Sequence, residues 1–449
     1  MGAKKILLLC LVIFFTFSAC SRKTASAGKD RPVVVILGFD GASWDLIDPL
    51  IAKGRLPLFK ELKEKFAWGN LRTSTPAKSP IIWTSIATGK TMAKHGIDDF
   101  IPRNKNKAGN RLPYLSTDIR AATLWDILDT YSLRSVLVNW FLSYPPQPLN
   151  GLNVSDYFRM RAFQPRNTSQ GVLNDTGYPP ARAAEFEKFI DNDYGKVLKD
   201  NGLPDFPRLF DEQGGGRHFA DHEILRKYPE LVLQENLTTK ISSRLFQTER
   251  FNFFAVYFKI ADFVQHFAYD CFIDDAYKKK LLPAFAGGVS ADQELQEAYE
   301  KVGDILCPVY QNIEKIIRGY LQSEKFKDAY IIIVSDHGFF FFRRDQAVQY
   351  NHVNGLEKAP NGILLIGGPG VRPGKIRMAR IYDIAPTVLY LLDLPQDRSM
   401  DGVPLARTFT FKNKIRYAVY KKKSPLNRRQ NRELDEKALE DLKALGYIN

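Results

Sequence analysis

Acidic and histidine side chains follow several of the apolar segments of this 449-residue chain. The six residues concerned are Asp40, Asp262, His266, Asp336, His337 and His352. Carboxylate oxygens and imidazole nitrogens together suit zinc, and also manganese or iron. Three aspartates and three histidines are enough to hold two divalent ions, with the oxygen of a nucleophile as a further ligand. The residue types therefore predict a site for two divalent ions, which zinc, manganese or iron could occupy.

Each of these residues also has an ordinary structural explanation. An aspartate at the end of a strand, such as Asp40, often caps a helix or forms a turn. Asp262 and His266 stand four residues apart and could lie on a solvated helix face. The run Asp336-His337-Gly338 is more specific, because it directly follows the β-branched residues of a predicted strand.

A candidate nucleophile, Ser79, opens the segment 79–89. Pro80 favours the first turn of a helix, and Gly89 is a helix stop signal, so the pattern predicts Ser79 as the N-cap. A hydroxyl there lies beside unpaired backbone N–H groups, which favour a phosphate. Capping alone is the alternative explanation for Ser79. Lys78 and Lys259 are candidates for contacting the phosphate, and the alternative is that both are ordinary exposed lysines.

The elements that must position these residues are five short apolar segments, at 33–39, 135–140, 253–259, 330–335 and 362–367. Helical patterns lie between them, for example at 124–131, 295–321 and 384–392. Strands that alternate with helices and are apolar on both faces indicate a mostly parallel α/β sheet sandwiched by helices. A parallel sheet brings the carboxyl ends of its strands to one edge, where most of the candidate ligands should converge.

The domain organisation follows from the same pattern. We expect one catalytic domain at 32–410, with cap-like insertions at about 145–235 and 269–291 that shape substrate choice. The alternative is that these irregular stretches are structural only. Residues 424–449 read as a highly charged tail with a helical stretch at 433–445.

The first 20 residues have the pattern of an export signal. A basic start precedes an apolar run at 6–17, which is too short for a comfortable membrane span. Small residues before Cys20 resemble a bacterial lipoprotein cleavage site, although Phe17 stands where leucine is usual. We therefore expect an exported protein, lipid-anchored to the bacterial cell envelope through Cys20, with residues 21–31 as a tether. A plain secretory signal is the alternative.

The net charge and the cysteine content bear on the classes of binding partner and on disulfide pairing. The formal net charge is +14, which favours acidic lipid surfaces or anionic substrates. The sequence contains no recognisable nucleic-acid-binding module. Cys271 and Cys307 could pair in an oxidising compartment, a question the sequence leaves open together with the oligomeric state.

Taken in order, these motifs resemble the type I phosphodiesterase and nucleotide pyrophosphatase family of the alkaline phosphatase superfamily. The resemblance spans about residues 33–404 and includes Gly38–Gly41, the 78–89 segment with His95-Gly96-Ile97, and Asp383–Thr387. It implies an alkaline-phosphatase-like fold with two metal ions, usually zinc. The family's Thr or Ser nucleophile falls on Ser79. One metal would take Asp40, Ser79, Asp336 and His337, and the other Asp262, His266 and His352.

The resemblance implies phosphodiester or pyrophosphate hydrolysis through a phosphoserine on Ser79. Two departures matter. Nucleotide pyrophosphatases carry an asparagine after the nucleophile, and residues 80–89 contain none. Sulfatases need Cys or Ser followed by x-Pro-x-Arg, which residues 79–83 lack. Alternatives are a phosphoethanolamine- or phosphoglycerol-type envelope transferase, a sulfatase-like hydrolase, and a non-catalytic surface-binding lipoprotein on the same fold.

Overall fold

The computed structural model describes residues 31–102, 112–159, 176–212, 223–285, 291–344, 347–352 and 359–423, together with 439–440 and 443. Cys20, the predicted tether and most of the charged tail lie outside the described residues. Residues 32–449 form one compact unit. Within the described part, no helix combines the length and the apolar character needed to cross a bilayer.

The strands follow apolar, often β-branched runs bounded by glycine and polar residues. They are β1 (Val33–Phe39), β2 (Ala67–Arg72), β3 (Ser135–Val138), β4 (Gly151–Val154), β5 (Gly177–Tyr178), β6 (Phe253–Phe258), β7 (Ala329–Val334), β8 (Phe340–Arg344), β9 (Ala347–Asn351), β10 (Gly362–Gly367), β11 (Gly374–Lys375), β12 (Ala379–Arg380), β13 (Gln396–Asp397) and β14 (Tyr417–Ala418).

The helices lie between them along the chain. They are α1 (Trp44–Ala52), α2 (Pro57–Lys65), α3 (Ser79–Thr88), α4 (Met92–His95), α5 (Leu124–Thr130), α6 (Pro180–Ala183), α7 (Tyr194–Asn201), α8 (Phe206–Glu212), α9 (Glu223–Arg226), α10 (Tyr228–Thr248), α11 (Ile260–Phe272), α12 (Asp275–Leu281), α13 (Ala291–Leu321) and α14 (Ile384–Leu391).

A ten-stranded sheet forms the centre of the described chain, in the order β11-β2-β10-β7-β1-β6-β3-β4-β5, with β12 beside β2. β1 pairs in parallel with both β6 and β7, and β3 pairs in parallel with β6. β10 pairs antiparallel to β7 and to β2. The five strands predicted from the sequence are therefore neighbours in the middle of a mostly parallel sheet.

Both faces of the sheet are buried, as the continuous apolar strands predict. Along β1, Val35 and Leu37 pack into one core and Val34 and Ile36 into the other. The first core includes helices α1, α2, α10, α11 and α13, and the second includes α3, α5 and α14. The sandwich of helices around the sheet is thus confirmed.

The two segments predicted as insertions contain more regular structure than expected. β4 and β5 lie inside 145–235 and extend the central sheet beyond β3. Helix α10 begins in the same segment and packs on the sheet. The second segment begins inside α11, which continues to Phe272. Short or glycine-rich strands such as Gly151–Val154 carry too little apolar pattern to be recognised alone. Cys271 and Cys307 are free thiols.

Candidate active site

Two neighbouring strands of the sheet deliver half of the candidate ligands. Asp40 directly follows β1, and Asp336 and His337 follow β7 after one intervening residue. Because β1 and β7 run parallel, their carboxyl ends meet at the same edge of the sheet. The three side chains are placed together by the strand order alone.

The other three candidates reach this edge by different routes. Asp262 and His266 lie one turn apart on α11, which starts immediately after β6. His352 follows β9 in the connection that leads into β10. β10 is antiparallel to β7, so its amino end lies where β7 ends. A residue before β10 can therefore join residues that follow the parallel strands.

One group consists of Asp40, Asp336 and His337, whose ligand atoms lie within 4.8 Å of one another. His337 Nε2 is 3.3 Å from Asp336 Oδ2 and 3.4 Å from Asp40 Oδ1. The backbone N–H of Gly41 donates to the second oxygen of Asp336 over 3.2 Å. One oxygen of Asp336 therefore faces His337, and the other is held by the backbone N–H of Gly41.

A second group is centred on Asp262. Its Oδ1 lies 3.5 Å from His266 Nε2 and 3.7 Å from His352 Nε2. His337 Nε2 is 3.9 Å from the same oxygen, and its ring stacks on that of His352 with centroids 3.9 Å apart. His337 thus connects the two groups, and all six predicted residues form one continuous cluster.

Backbone carbonyls orient two of the imidazoles. His352 Nδ1 lies 3.0 Å from the carbonyl oxygen of Ala77, and His337 Nδ1 lies 3.3 Å from that of Gly338. A carbonyl can only accept a hydrogen bond, so Nδ1 carries the proton in both rings. The lone pair of each Nε2 then points towards the carboxylates, which is the orientation that a metal-ligating histidine needs.

The cluster is buried and leaves polar atoms without hydrogen-bond partners among the described residues. Asp40, Asp262, Asp336 and His337 are 0% exposed. The atoms concerned are Asp40 Oδ1, both carboxylate oxygens of Asp262, Asp336 Oδ2 and His337 Nε2. Buried polar groups of this kind are almost always satisfied in folded proteins. Their number and chemistry fit divalent cations, which would neutralise the carboxylates and take the imidazole lone pair.

Electrostatics lead to the same interpretation. Burial, together with the neighbouring carboxylate of Asp336, raises the pKa of Asp40 well above its usual range. Burial likewise raises the pKa of Asp336 to about 7. Burial would also raise the pKa of Asp262, but the neighbouring imidazoles, His266 foremost, hold it below its ordinary value. Without added positive charge, the carboxylates of Asp40 and Asp336 tend to bind protons, which a metal ion would displace.

Close approach of the chain at the site depends on Gly41. It has φ of +73°, and a Cβ there would lie 2.7 Å from the Cα of Asp262. Only glycine adopts this conformation readily and leaves room for α11. The Gly38–Gly41 motif thus allows the turn after β1 to contact the helix that carries Asp262.

Ser79 is the first residue of α3, and Lys78 occupies the N-cap position. The predicted cap was therefore wrong by one residue: Lys78 has extended backbone with φ of −111° and ψ of 128°, and Pro80 takes the second helical position. The predicted stop at Gly89 is confirmed by its φ of 68°. Ser79 is 2% exposed. The hydrogen bond from His352 to Ala77, two residues earlier, ties the entry of α3 to the cluster.

Lys78, a candidate for contacting the phosphate, forms an ion pair in the structure. Its ammonium donates to Asp99 Oδ2 over 2.6 Å, and both side chains are partly exposed. Lys259, the other candidate, is 9% exposed at the N-cap of α11. The ion pair gives Lys78 a structural explanation that the sequence could not supply, because its partner lies 21 residues further along the chain.

Sequence reasoning missed two residues that support the ligands. The hydroxyl of Tyr257 donates to Asp40 Oδ2, and burial raises the pKa of this phenol well above its ordinary value, so it stays a donor. The amide of Gln265 donates to the carbonyl of Gly41 over 2.8 Å and accepts from the hydroxyl of Tyr350. Tyr257 lies in an apolar strand, where an aromatic residue looks like ordinary core.

Glu235 on α10 is a third residue that the sequence did not reveal. Its two carboxylate oxygens accept the backbone N–H groups of Lys259 and Ile260, over 3.2 and 3.3 Å. Lys259 makes no side-chain cap of its own, so a carboxylate from a neighbouring helix caps α11. Burial raises the pKa of Glu235 to about 7. Glu235 thus holds the amino end of the helix that carries the candidate ligands Asp262 and His266.

We expect Glu235→Ala to lower metal occupancy and kcat about tenfold, because the amino end of α11 loses its anchor. Glu235→Gln keeps one acceptor and should restore part of both. Metal analysis and steady-state kinetics measure the effect, with Glu223→Ala, an exposed carboxylate in α9, as the control. Unchanged metal content and kcat in a folded Glu235→Ala protein would show that the cap does not position the ligands.

The raised pKa of Asp336 makes the effect of metal on stability depend on pH. A carboxyl whose pKa is raised in the folded state stabilises the metal-free protein while it is protonated. That contribution is lost as pH rises through about 7. Manganese should therefore raise Tm more at pH 8 than at pH 6, as measured by calorimetry, and Asp336→Asn should reduce this difference. An equal increase at both pH values would contradict the electrostatic account.

Comparison with known proteins places the chain among proteins of similar fold. Among solved structures, BT1596, a 2-O GAG sulfatase, superimposes with a TM-score of 0.50 and 10% identity, over 88% of this chain and 78% of that one. The phosphonate monoester hydrolase SpPMH from Silicibacter pomeroyi gives 0.45 and 12%, over 85% and 77%. Murine ectonucleotide pyrophosphatase/phosphodiesterase 5 gives 0.40 and 12%, over 81% and 96%. No curated protein matches the chain in sequence.

At these identities the structural likeness concerns the fold, and it confirms the predicted alkaline-phosphatase-like architecture. The family assignment comes from the sequence itself. The model of the family described as type I phosphodiesterase / nucleotide pyrophosphatase matches residues 34–441, which span nearly all of the compact unit. The chain belongs to the type I phosphodiesterase/nucleotide pyrophosphatase family, within the alkaline phosphatase superfamily.

Proposed function

We propose that this protein is a two-metal phosphohydrolase that cleaves phosphodiester or pyrophosphate bonds through a phosphoserine on Ser79. The observation that carries the proposal is the buried cluster of carboxylate and imidazole atoms without hydrogen-bond partners among the described residues. Following the family pattern, Asp40, Ser79, Asp336 and His337 would hold one ion. Asp262, His266 and His352 would hold the other. Zinc is the expected metal, and manganese is the alternative.

Two bound divalent ions would supply positive charge to the attacking and leaving oxygens of an in-line displacement. The chain's own residues do the rest. Ser79 Oγ forms a bond to phosphorus as the bond to the leaving oxygen breaks. Water then attacks the phosphoserine, returns Ser79 and releases phosphate or a phosphate monoester. Ser79 lies on the first turn of α3, where the positive end of the helix dipole favours a phosphate.

The substrate is a phosphate ester, and a diester or pyrophosphate is the class we propose. A sulfate ester fits less well, because residues 79–83 lack the arginine and spacing that mature to formylglycine in sulfatases. The absence of asparagine from residues 80–89 separates this chain from the nucleotide-binding pattern. Nucleotides are therefore one test substrate among several.

The test is a direct comparison of three classes of ester. Residues 21–449, which include the whole compact unit, are loaded with zinc or manganese. They are then assayed on a chromogenic phosphodiester, the matching monoester and the matching sulfate ester. We expect the diester to be turned over fastest. Faster turnover of the monoester or sulfate would move the protein to another branch of the superfamily.

Two alternatives give different results in the same assay. A phosphoethanolamine- or phosphoglycerol-type transferase would show a rate that depends on an added alcohol acceptor. A binding lipoprotein on the same fold would turn over none of the esters even when loaded with metal. Either result would contradict the proposed hydrolase.

We also propose that the protein is exported and lipid-anchored to the cell envelope through Cys20. The support is the sequence pattern around Cys20 alone. Mass spectrometry of the mature N-terminus should find acylated Cys20, and Cys20→Ser should abolish lipid incorporation. An unmodified N-terminus at another position would indicate a plain secretory signal.

A further inference from the structure

We propose that residues 412–421, which we call the basic strip, contact an anionic lipid bilayer. The strip contains four basic residues, at 412, 414, 416 and 421, and no acidic residue. Ile415, Tyr417 and Val419 are exposed by 41%, 57% and 77%. The strip therefore combines positive charge with apolar side chains at alternate positions, outside the metal-ligand cluster.

The backbone of the strip is held in place by the rest of the domain. The carbonyls of Arg416 and Ala418 accept the N–H groups of Gln396 and Arg398, each over 2.8 Å. These bonds keep the segment extended beside β13. Alternate side chains of an extended segment face opposite ways, so Ile415, Tyr417 and Val419 share one side.

Tyr420, at an alternate position to these three, fixes which side of the strip faces outward. Tyr420 packs towards the body, where its hydroxyl is 2.8 Å from that of Tyr131 and donates to the carbonyl of Pro395. Arg416 donates to Asp393 over 2.9 Å. The apolar side of the strip therefore belongs to a segment that is already held in place. Binding to a surface then costs little conformational entropy.

Three of the basic residues, Lys412, Lys414 and Lys421, are exposed and have no ion-pair partner among the described residues. Lysines near an anionic leaflet each contribute roughly fivefold to binding. Burying isoleucine and valine side chains at the boundary between headgroups and acyl chains is favourable, and tyrosine side chains favour the same depth. A nucleic acid offers no comparable apolar layer for Ile415 and Val419.

The proposed lipid anchor adds a reason for a bilayer as the occupant. A tether of 11 residues, at positions 21–31, reaches at most about 40 Å. A protein anchored at Cys20 would therefore remain beside the membrane. A single lipid attachment and a weak surface contact reinforce each other, because the second contact forms at high local concentration.

The test is vesicle co-sedimentation of unlipidated residues 21–449, with phosphatidylglycerol vesicles compared with phosphatidylcholine vesicles. We expect binding to the anionic vesicles only, weakened by salt. Lys412→Gln/Lys414→Gln/Lys421→Gln should lower the affinity about 100-fold, from roughly fivefold per lysine. Ile415→Ser/Tyr417→Ser/Val419→Ser should lower it at least tenfold.

One control removes the same number of charges elsewhere, and a second removes a single exposed apolar side chain. Lys60→Gln/Lys279→Gln/Lys280→Gln changes three other exposed lysines, and Met378→Ser changes a methionine that is 85% exposed. Neither control should alter binding by more than about twofold. Equal losses in strip and control variants would show attraction by net charge alone and overturn the proposal.

Other occupants give distinct outcomes, each of which overturns the bilayer assignment. A wild-type dimer in solution that the serine variant makes monomeric would identify a second copy of the chain. Absence of binding to anionic vesicles would exclude a bilayer. Turnover of a water-soluble diester should be unchanged in all strip variants, so a failure here is distinguishable from failure of the proposed catalytic function.

Discussion

Replacing Ser79 with alanine is expected to lower diester turnover by at least about 10³-fold while the protein stays folded and metal-loaded. Alanine removes the only atom of this residue that can form the phosphoserine. Ser79 is one of four proposed ligands of one ion and is not a ligand of the other, so most of the metal should remain. The measurement is kcat for the diester, with metal content and Tm determined on the same samples.

The matched control is Ser85→Ala, which removes a second buried hydroxyl from the same helix. Ser85 Oγ lies 3.0 Å from His95 Nε2, and the N–H of Ile97 donates to His95 Nδ1. Burial lowers the pKa of His95 to about 4, so this ring is neutral and its hydrogen bonds are structural. Ser85→Ala should reduce stability by roughly 1 kcal/mol and keep turnover. Full activity of Ser79→Ala would contradict the phosphoserine mechanism.

Replacing Asp262 with asparagine is expected to remove one of two metals and lower turnover by at least about 10³-fold. Both carboxylate oxygens of Asp262 lack hydrogen-bond partners among the described residues, and three imidazole nitrogens lie within 4 Å of Oδ1. Asparagine keeps the volume but loses the negative charge. The metal content should fall from about two ions per chain to about one, with the Asp40 group still occupied.

Asp126→Asn controls for the loss of a buried carboxylate away from the cluster. Asp126 is 4% exposed and accepts from the backbone and hydroxyl of Thr123 at the start of α5. This variant should lose roughly 1 kcal/mol of stability and retain both metals. Two ions per chain in Asp262→Asn, with unchanged affinity, would show that Asp262 is not a ligand.

Much of the site could be anticipated from local sequence because the ligands follow recognisable strands. β1, β6 and β7 are continuous apolar runs, and a parallel sheet necessarily aligns their carboxyl ends. The helix stop at Gly89 is likewise local, since glycine alone takes that conformation cheaply. The family resemblance added the roles of Ser79 and the metals, which no spacing rule contains. Those roles stay predictions until the variants are measured.

Other features depend on contacts between distant parts of the chain. The pairing of Lys78 with Asp99, the hydroxyl of Tyr257 on Asp40 and the cap of α11 by Glu235 have no local signature. β4 and β5 are too short to be recognised, yet they extend the sheet because its edge offers unpaired backbone groups.

By itself the sequence determined the residue types of the candidate site, because these follow from side-chain chemistry. It also determined the strands that carry most of those residues and the class of fold, because these follow from apolar periodicity. Only the tertiary structure decided that His352 joins the cluster. It precedes β10, and the antiparallel pairing of β10 with β7 brings that end of the strand to the ligand edge. The direction of a strand is set by long-range packing, and the same packing made His337 the link between the two groups.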